Sequence, residues 1–331
     1  MTAQELIFTG PETVTTQPTT VDEPDRREVV VKARLSAISP GTERHVFSGS
    51  VPAEMAADLS LETLDGTLDY PTKYGYAVVG EVVETGAAVD RLCRGQRVFA
   101  FHPHQSRFCL SADAVVEIPA SLSDEQAVLF PTVETATNLL LDGQPVLGER
   151  VVVFGAGPVG LCTTRLLAAY PLAKLTVVEP IEHRRALARS FGADSVVHPD
   201  SVTESVDDPD LIYELSGEPD ALDDATAVVG YDGRIVVGSW YGTKAANLEL
   251  GGSFHRDRVS IESSQVSTIS PSLRGRWSTE RRREVTRSQL ERIDSDALFT
   301  DRLPLREAQT AYERLARSPE TTVQILFTYD D

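Results

Sequence analysis

From residue 150 onward the hydrophobic positions follow two alternating rhythms. Short runs dominated by Val, Leu and Ile occupy 150–154, 174–179, 195–198, 211–215, 234–238 and 258–263, and they have strand length. Stretches of helical character at 158–169, 182–191 and 219–229 separate them. Strands alternating with helices of this length predict a doubly wound parallel sheet with helices on both faces.

The chain before this region has a different texture. Residues 28–35 alternate around β-branched side chains, and 80–84 and 96–101 read as further strands, with turn residues Gly86, Asp90 and Gly95 between them. An irregular, mostly β domain up to about residue 120 follows from that pattern. Residues 123–141 return to helical spacing behind a Ser-Asp-Glu start. Past Ser270 come a Pro/Arg-rich loop, a helix around 279–293 and a final helix–strand pair within 305–327. That tail has no sheet of its own to join, so it is expected to return to the first domain. The predicted organisation is a first domain at 1–122, completed by 268–331, around a second domain at 123–267.

One turn in this pattern carries chemistry. Val151-Val-Val-Phe-Gly155-Ala-Gly157-Pro158-Val159-Gly160 leaves a predicted strand and opens a predicted helix. Gly155 permits the tight turn, Gly157 lets the backbone approach a pyrophosphate without a Cβ, and Gly160 lets helix and sheet pack closely. Glu179 ends the next strand, where an acid receives ribose hydroxyls. Its charge repels a 2′-phosphate and so favours NAD over NADP, although Arg184 and Arg185 lie within reach and keep NADP open.

Charge narrows the setting. Lys+Arg number 31 against 50 Asp+Glu, a net −19, and the only lysines are Lys32, Lys73, Lys174 and Lys244. A carboxylate-dense surface with little lysine stays hydrated in high salt, where screening relieves self-repulsion; the composition reads as that of a halophile's cytoplasmic protein, with a merely acidic mesophilic enzyme as the alternative. The same field disfavours nucleic acid and anionic membrane as partners. Cys93, Cys109 and Cys162 are odd in number and widely spaced, which fits a reducing compartment rather than a disulfide framework. The first ten residues lack the basic start and apolar run of a signal peptide, and no stretch approaches a membrane span.

The landmarks at 35–43 (Leu-Ser-Ala-Ile-Ser-Pro-Gly-Thr-Glu), 75–81 (Gly-Tyr-Ala-Val-Val-Gly-Glu), 94–98 (Arg-Gly-Gln-Arg-Val), Thr135-Ala136 and Gly155–Gly160 occur in the order of the medium-chain dehydrogenase/reductase superfamily. The chain resembles that superfamily from Gln4 to Tyr329, and within it a threonine-dehydrogenase-like branch that includes bacteriochlorophyllide dehydrogenase. The resemblance implies a GroES-like catalytic domain interrupted by a Rossmann domain, and a homodimer or homotetramer. Where zinc-dependent members carry Cys-Gly-Thr-Asp, this chain has Pro40-Gly41-Thr42-Glu43; where they carry Gly-His-Glu, it has Gly75-Tyr76-Ala77. The third ligand position falls at Pro131, and the lobe for structural zinc is replaced by 100–106 with His102 and His104. Pro, Tyr and Pro cannot supply a tetrahedral donor set, so no metal is expected. The two histidines read as surface or substrate-facing residues.

Without a Lewis acid, a hydrogen-bond donor has to stabilise the oxyanion. On the resemblance, Tyr76 aims its hydroxyl into the former metal cavity or simply fills its volume. Thr42 and His45 match a hydroxyl–imidazole proton relay, and Glu43 an acid that orients neighbours. Glu134 begins the helix that passes under the nicotinamide, as substrate-holding base or as plain helix-terminal charge. Thr135, Ser216 and Ser239 match positions on the nicotinamide side. Gln265 and Arg276 are the candidate substrate contacts. The wider cluster of Arg274, Arg276, Arg281, Arg282 and Arg283 reads first as a solvated helix face paired with Glu280 and Glu284. The expected function is zinc-independent, NAD(H)-dependent interconversion of an alcohol and a ketone on a small polar molecule. Reduction of an activated C=C bond and a catalytically silent dinucleotide sensor remain open beside it.

Overall fold

A computed structural model describes residues 1–58 and 61–329. The chain divides into two compact units, 1–131 with 294–331, and 132–293.

The first unit contains β1 (Thr2–Gly10), β2 (Thr13–Thr20), β3 (Glu28–Ala37), α1 (Thr42–Ser48), β4 (Val78–Thr85), β5 (Arg97–Ala100), β6 (Arg107–Ser111), β7 (Val115–Glu117) and α2 (Asp124–Val128). α3 (Phe130–Gly143) leads out of it. β3 is its organising strand: it pairs antiparallel with β4, β6 and the C-terminal strand. Period-2 alternation sends Val29 and Val31 into one cluster with Val78, Val98 and Phe108, and Val30 into another against Ala3 and Val21. The hairpin β1–β2 was not foreseen because β2 is Thr-rich, largely exposed and interrupted by Pro18.

The second unit runs β8 (Arg150–Phe154), α4 (Pro158–Leu167), β9 (Lys174–Val178), α5 (Glu182–Ser190), β10 (Ser195–Val197), α6 (Val202–Ser205), β11 (Leu211–Glu214), α7 (Pro219–Val228), β12 (Arg234–Val237), α8 (Ser253–Arg256), β13 (Ser260–Ser263) and α9 (Thr279–Leu290). Its six strands are parallel in the order β10-β9-β8-β11-β12-β13. The order reverses between β8 and β11, which opens a crevice beyond their carboxyl ends, the usual ligand position of such sheets. The apolar runs are strands because both faces are covered: Val152, Phe154, Ile212 and Ile235 pack with α7, while Val151, Val153 and Val236 are buried on the other side.

After this the chain forms α10 (Ser295–Leu298), β14 (Phe299–Pro304), α11 (Ala308–Arg317) and β15 (Gln324–Thr328). β15 joins the first unit's sheet beside β3, and β14 pairs parallel to β15. The tail therefore returns to the first unit. No helix among the described residues is long and apolar enough to cross a membrane.

Two boundaries differ from those predicted. The single helix expected at 123–141 is two helices broken at Leu129, because Pro131 lacks the N–H that would have bonded back to Ala127. α2 belongs to the first unit, where Asp124 takes hydrogen bonds from Arg34 and Arg97. At the other end the second unit extends past 267 to Ile293, because α9 is fastened to α3 by a buried ion pair described below.

Candidate functional site

At the carboxyl end of β8, Gly155 has φ +94°, and a Cβ there would lie 2.7 Å from the Leu215 carbonyl oxygen. A Cβ at Gly160 would collide with the Gly155 carbonyl, so that glycine sets how closely α4 meets the strand. Gly157 differs: nothing lies within 4 Å of where its Cβ would stand, and as the N-cap of α4 it provides no side-chain cap. The α4 amides that follow Pro158, beginning with Val159, thus face an open cradle that a Cβ would fill, as an anion-binding helix start requires. These residues fit a dinucleotide pyrophosphate.

Glu179 is 3% exposed and already occupied. One oxygen accepts from Ala156 N at 2.7 Å and the other from Ile181 N at 2.9 Å. Its carboxylate ties the glycine turn of β8 to the end of β9, beside any contact it makes with a ribose. Arg185 donates to the carbonyls of Glu179 and Pro180 at 2.8 and 2.6 Å, and half-buried Arg184 stands beside it on α5.

Glu214 has the corresponding place on β11 and sequence reasoning missed it. It is fully buried, and its carboxylate accepts from Ser216 N (2.8 Å), from the Ser216 hydroxyl and from Tyr241 OH (2.5 Å). Ser239 Oγ accepts from Gly217 N at 2.9 Å and donates to the Glu214 carbonyl at 3.3 Å. Both serines predicted on the nicotinamide side are therefore parts of one network that shapes the loop after β11. The available signal was a strand of four buried residues, Leu211–Glu214, ending on an acid as the β9 run does.

Glu134 is not placed to act as a base. It is 3% exposed, and its Oε1 accepts from Arg282 Nε and Nη2 at 3.2 and 2.9 Å and from Arg283 Nε at 3.4 Å. Arg282, 2% exposed, also donates to Asn138 Oδ1 at 2.8 Å; Asn138 in turn donates to Asp142 and Ser264. This corrects the reading of the arginines as a solvated helix face: Arg282 points inward to a carboxylate on α3, the helix that carries half-buried Thr135. Arg281 stacks on Trp277, 4.3 Å from the ring centroid. Arg276 is exposed, and so is Gln265, whose Oε1 accepts from Ser267 N at 2.9 Å within its own turn.

In the first unit, half-buried Tyr76 has its hydroxyl hydrogen-bonded with the side chains of Ser39 and Thr42, and burial raises its pKa. Three hydroxyls thus gather beside Pro40 and Ala77. His45, on α1, is 6% exposed. Among the described residues no group of three or more His, Cys, Asp or Glu side chains is arranged to hold a metal ion. The donors here do not fit zinc.

Of the two histidines read as surface or substrate-facing, His102 is half-buried and His104 is not on the surface. His104 is fully buried; Nε2 lies 2.9 Å from Glu43 Oε2 and Nδ1 2.7 Å from Ser36 Oγ. His102 stacks on Phe108 with centroids 3.9 Å apart, its Nδ1 2.9 Å from the Pro103 carbonyl, and burial pushes its pKa down to about 4.

Two outcomes follow. Glu134→Leu leaves Arg282 buried without its counter-ion and is expected to cost about 3–5 kcal/mol in denaturant unfolding; adding Arg282→Met should recover part of the loss. A fully additive double variant would show that the pair is not coupled. The His102 imidazole takes its proton near pH 4 when folded and near 6.5 when unfolded. Its contribution is therefore complete above pH 6.5 and is lost as pH falls toward 4. Urea midpoints at pH 7 and pH 5 should differ less in His102→Asn than in the unaltered protein, and equal differences would exclude His102 as the cause.

The sequence profile of the zinc-binding dehydrogenase family matches residues 158–281. The chain is 29% identical over 256 residues to an L-threonine 3-dehydrogenase of Pyrococcus horikoshii, covering 65% of this chain and 69% of that one. It is 24% identical over 332 residues to the L-threonine 3-dehydrogenase of Coxiella burnetii, covering 88% and 89%. In fold it resembles the 2R,3R-butanediol dehydrogenase of Bacillus subtilis, with TM-score 0.81 and 18% identity over 99% of this chain and 100% of that one. A short chain alcohol dehydrogenase from Escherichia coli complexed with NADH gives TM-score 0.79 and 20% identity over 99% of each chain. With its parallel glycine-turn sheet and mostly β partner unit, the chain is similar in sequence and in fold to medium-chain, zinc-binding-type dehydrogenases.

Proposed function

We propose that this chain is an NAD(H)-dependent dehydrogenase that interconverts a secondary alcohol and its ketone without a catalytic zinc. The observation that carries this reading is the hydroxyl cluster of Ser39, Thr42 and Tyr76 at the family's metal positions. When bound, the nicotinamide dinucleotide accepts or supplies the hydride. The open cradle at Gly157 and the α4 amides would hold its pyrophosphate, and the carboxylate of Glu179 favours NAD by opposing a 2′-phosphate.

The chain's own residues then have separate tasks. A substrate oxygen that gains negative charge needs a preorganised donor in place of a Lewis acid. Burial raises the Tyr76 pKa, so its phenol keeps its proton around neutral pH and acts as a donor rather than a base. Ser39 and Thr42 hold that hydroxyl from behind and can exchange hydrogen-bond direction with it. His45, three residues beyond Thr42 on α1, is the candidate group for passing a proton onward. Glu134 serves as the counter-ion of Arg282. The names of similar proteins, L-threonine 3-dehydrogenase and 2R,3R-butanediol dehydrogenase, share a secondary alcohol beside another polar group, and we assign that substrate class here.

The test is turnover of L-threonine, 2,3-butanediol and related vicinal alcohols with NAD⁺, in protein assayed for metal by mass spectrometry. Activity should persist after dialysis against a chelator, and Tyr76→Phe should lower kcat by about 10²-fold with little change in cofactor binding. Stoichiometric zinc, or activity abolished by the chelator and restored by zinc, would sink the proposal.

The acidic composition adds a second expectation. If the surface is adapted to high salt, thermal unfolding should move upward between about 0.1 M and about 1 M KCl, as the Debye length falls from about 10 Å to about 3 Å. A flat or falling response would show an acidic protein without that adaptation.

A further inference from the structure

Glu43 and His104 form an ion pair or hydrogen-bonded pair with no solvent exposure on either side chain, well inside the first unit. Buried polar pairs of this kind are costly unless every donor and acceptor is used, and here nearly all are. Glu43 Oε2 accepts from His104 Nε2 at 2.9 Å and from Tyr312 OH at 2.5 Å, while Oε1 accepts from Ser39 N at 2.8 Å. On the far side of the imidazole, Nδ1 meets Ser36 Oγ at 2.7 Å, which meets Tyr329 OH at 2.7 Å. The ring stands edge-on to Phe327, and the His104 carbonyl accepts from Leu6 N at 3.0 Å.

Two of these contacts lead to Tyr76. The first runs through Glu43. Its carboxylate takes the Ser39 amide, and its own amide donates to the Ser39 carbonyl at 3.0 Å, so the 39–43 turn is closed from both ends. That turn carries the Ser39 and Thr42 hydroxyls that bond Tyr76. The second is direct. Gly75 has φ +104°, and a Cβ on it would lie 2.5 Å from the His104 ring, so the imidazole is the floor on which the backbone before Tyr76 rests. One side chain therefore bears on both arms of the hydroxyl cluster, from behind the loop and from beneath the residue itself.

We infer that His104 is a positioning residue for the Tyr76 hydroxyl, holding the Ser39–Thr42 turn through Glu43 and the Gly75–Tyr76 backbone by contact. It is not part of a proton wire: the link from Glu43 to the cluster is the Ser39 amide, whose peptide N–H donates a hydrogen bond but is too weakly acidic to pass its proton on. His104 needs no contact with substrate or cofactor. Its role is geometric, and displacement of a donor by about 1 Å is enough to cost a reaction up to about 10²-fold. The catalytic meaning of this inference rests on the function proposed above, but the positional claim does not.

The experiment separates the two. 3-Fluorotyrosine placed at residue 76 of the full chain reports its hydroxyl environment by ¹⁹F NMR without any substrate. His104→Phe keeps a ring under Gly75 and removes the hydrogen bonds; His104→Gln keeps an amide N–H for Glu43. The resonance should shift or broaden in His104→Phe and move back toward its original position in His104→Gln. On a turned-over alcohol, His104→Phe should lower kcat about tenfold or more at unchanged KM for the cofactor, and its effect should vanish in a Tyr76→Phe background. An unmoved resonance, or equal kinetic losses in both backgrounds, would overturn the inference. Should His104→Phe fail to fold, His104→Leu, which also removes the hydrogen bonds, and its double-variant cycle decide the matter by the same criteria. If no alcohol is turned over, the function proposed above fails, and the fluorine signal still decides whether His104 holds Tyr76.

Discussion

A carboxylate cannot be taken out of water unless donors replace the water, and this protein buries several. Glu43 and Glu214 have no exposed surface, and Glu134 and Glu179 have 3% each. Each penalty of desolvation is several kcal/mol before compensation, comparable to the whole stability of a domain. The solutions differ in chemistry. Glu179 is answered by two backbone amides, Glu214 by an amide and two hydroxyls, Glu134 by two guanidinium groups, and Glu43 by an amide, a phenol and an imidazole. Much of the loop geometry in both units is the set of positions those donors have to occupy.

Three of the four end or begin an element next to the expected chemistry. Glu179 and Glu214 close the strands on either side of β8 at the carboxyl edge of the parallel sheet, and each draws the following loop back toward the strand it ends. Glu43 does the same for the turn before α1. A buried acid at an element end is an economical way to hold an irregular backbone, because it supplies acceptors where the ladder of strand or helix has stopped supplying them. The hydroxyl cluster around Tyr76 and the glycine cradle at α4 are both held by acids of this type.

Much of the second unit could be read in advance. The alternation of apolar strand and amphipathic helix is local, and the turn at Gly155–Gly160 is legible because only glycine tolerates φ +94° with a carbonyl 2.7 Å from the missing Cβ. The helix break at Leu129 was signalled by Pro131 but submerged in the surrounding helical spacing. The β1–β2 hairpin escaped because β2 lacks an apolar face, being paired by backbone rather than by burial. Glu214 escaped because it looked like the polar end of a hydrophobic run.

The sequence by itself determined the elements whose causes lie within a few residues: strand and helix periodicity, the glycine turn and the acidic composition. Only the tertiary structure decided which donor meets each buried acid. Glu43 is joined to His104 across 61 residues and to Tyr312 across 269, and Glu134 to Arg282 across 148. Arg282 read as part of a solvated helix face and His104 as a surface or substrate-facing residue, because polarity is local and burial is not. A charged side chain enters a core when its partner is already there to receive it, and that partner is chosen by the path of the whole chain.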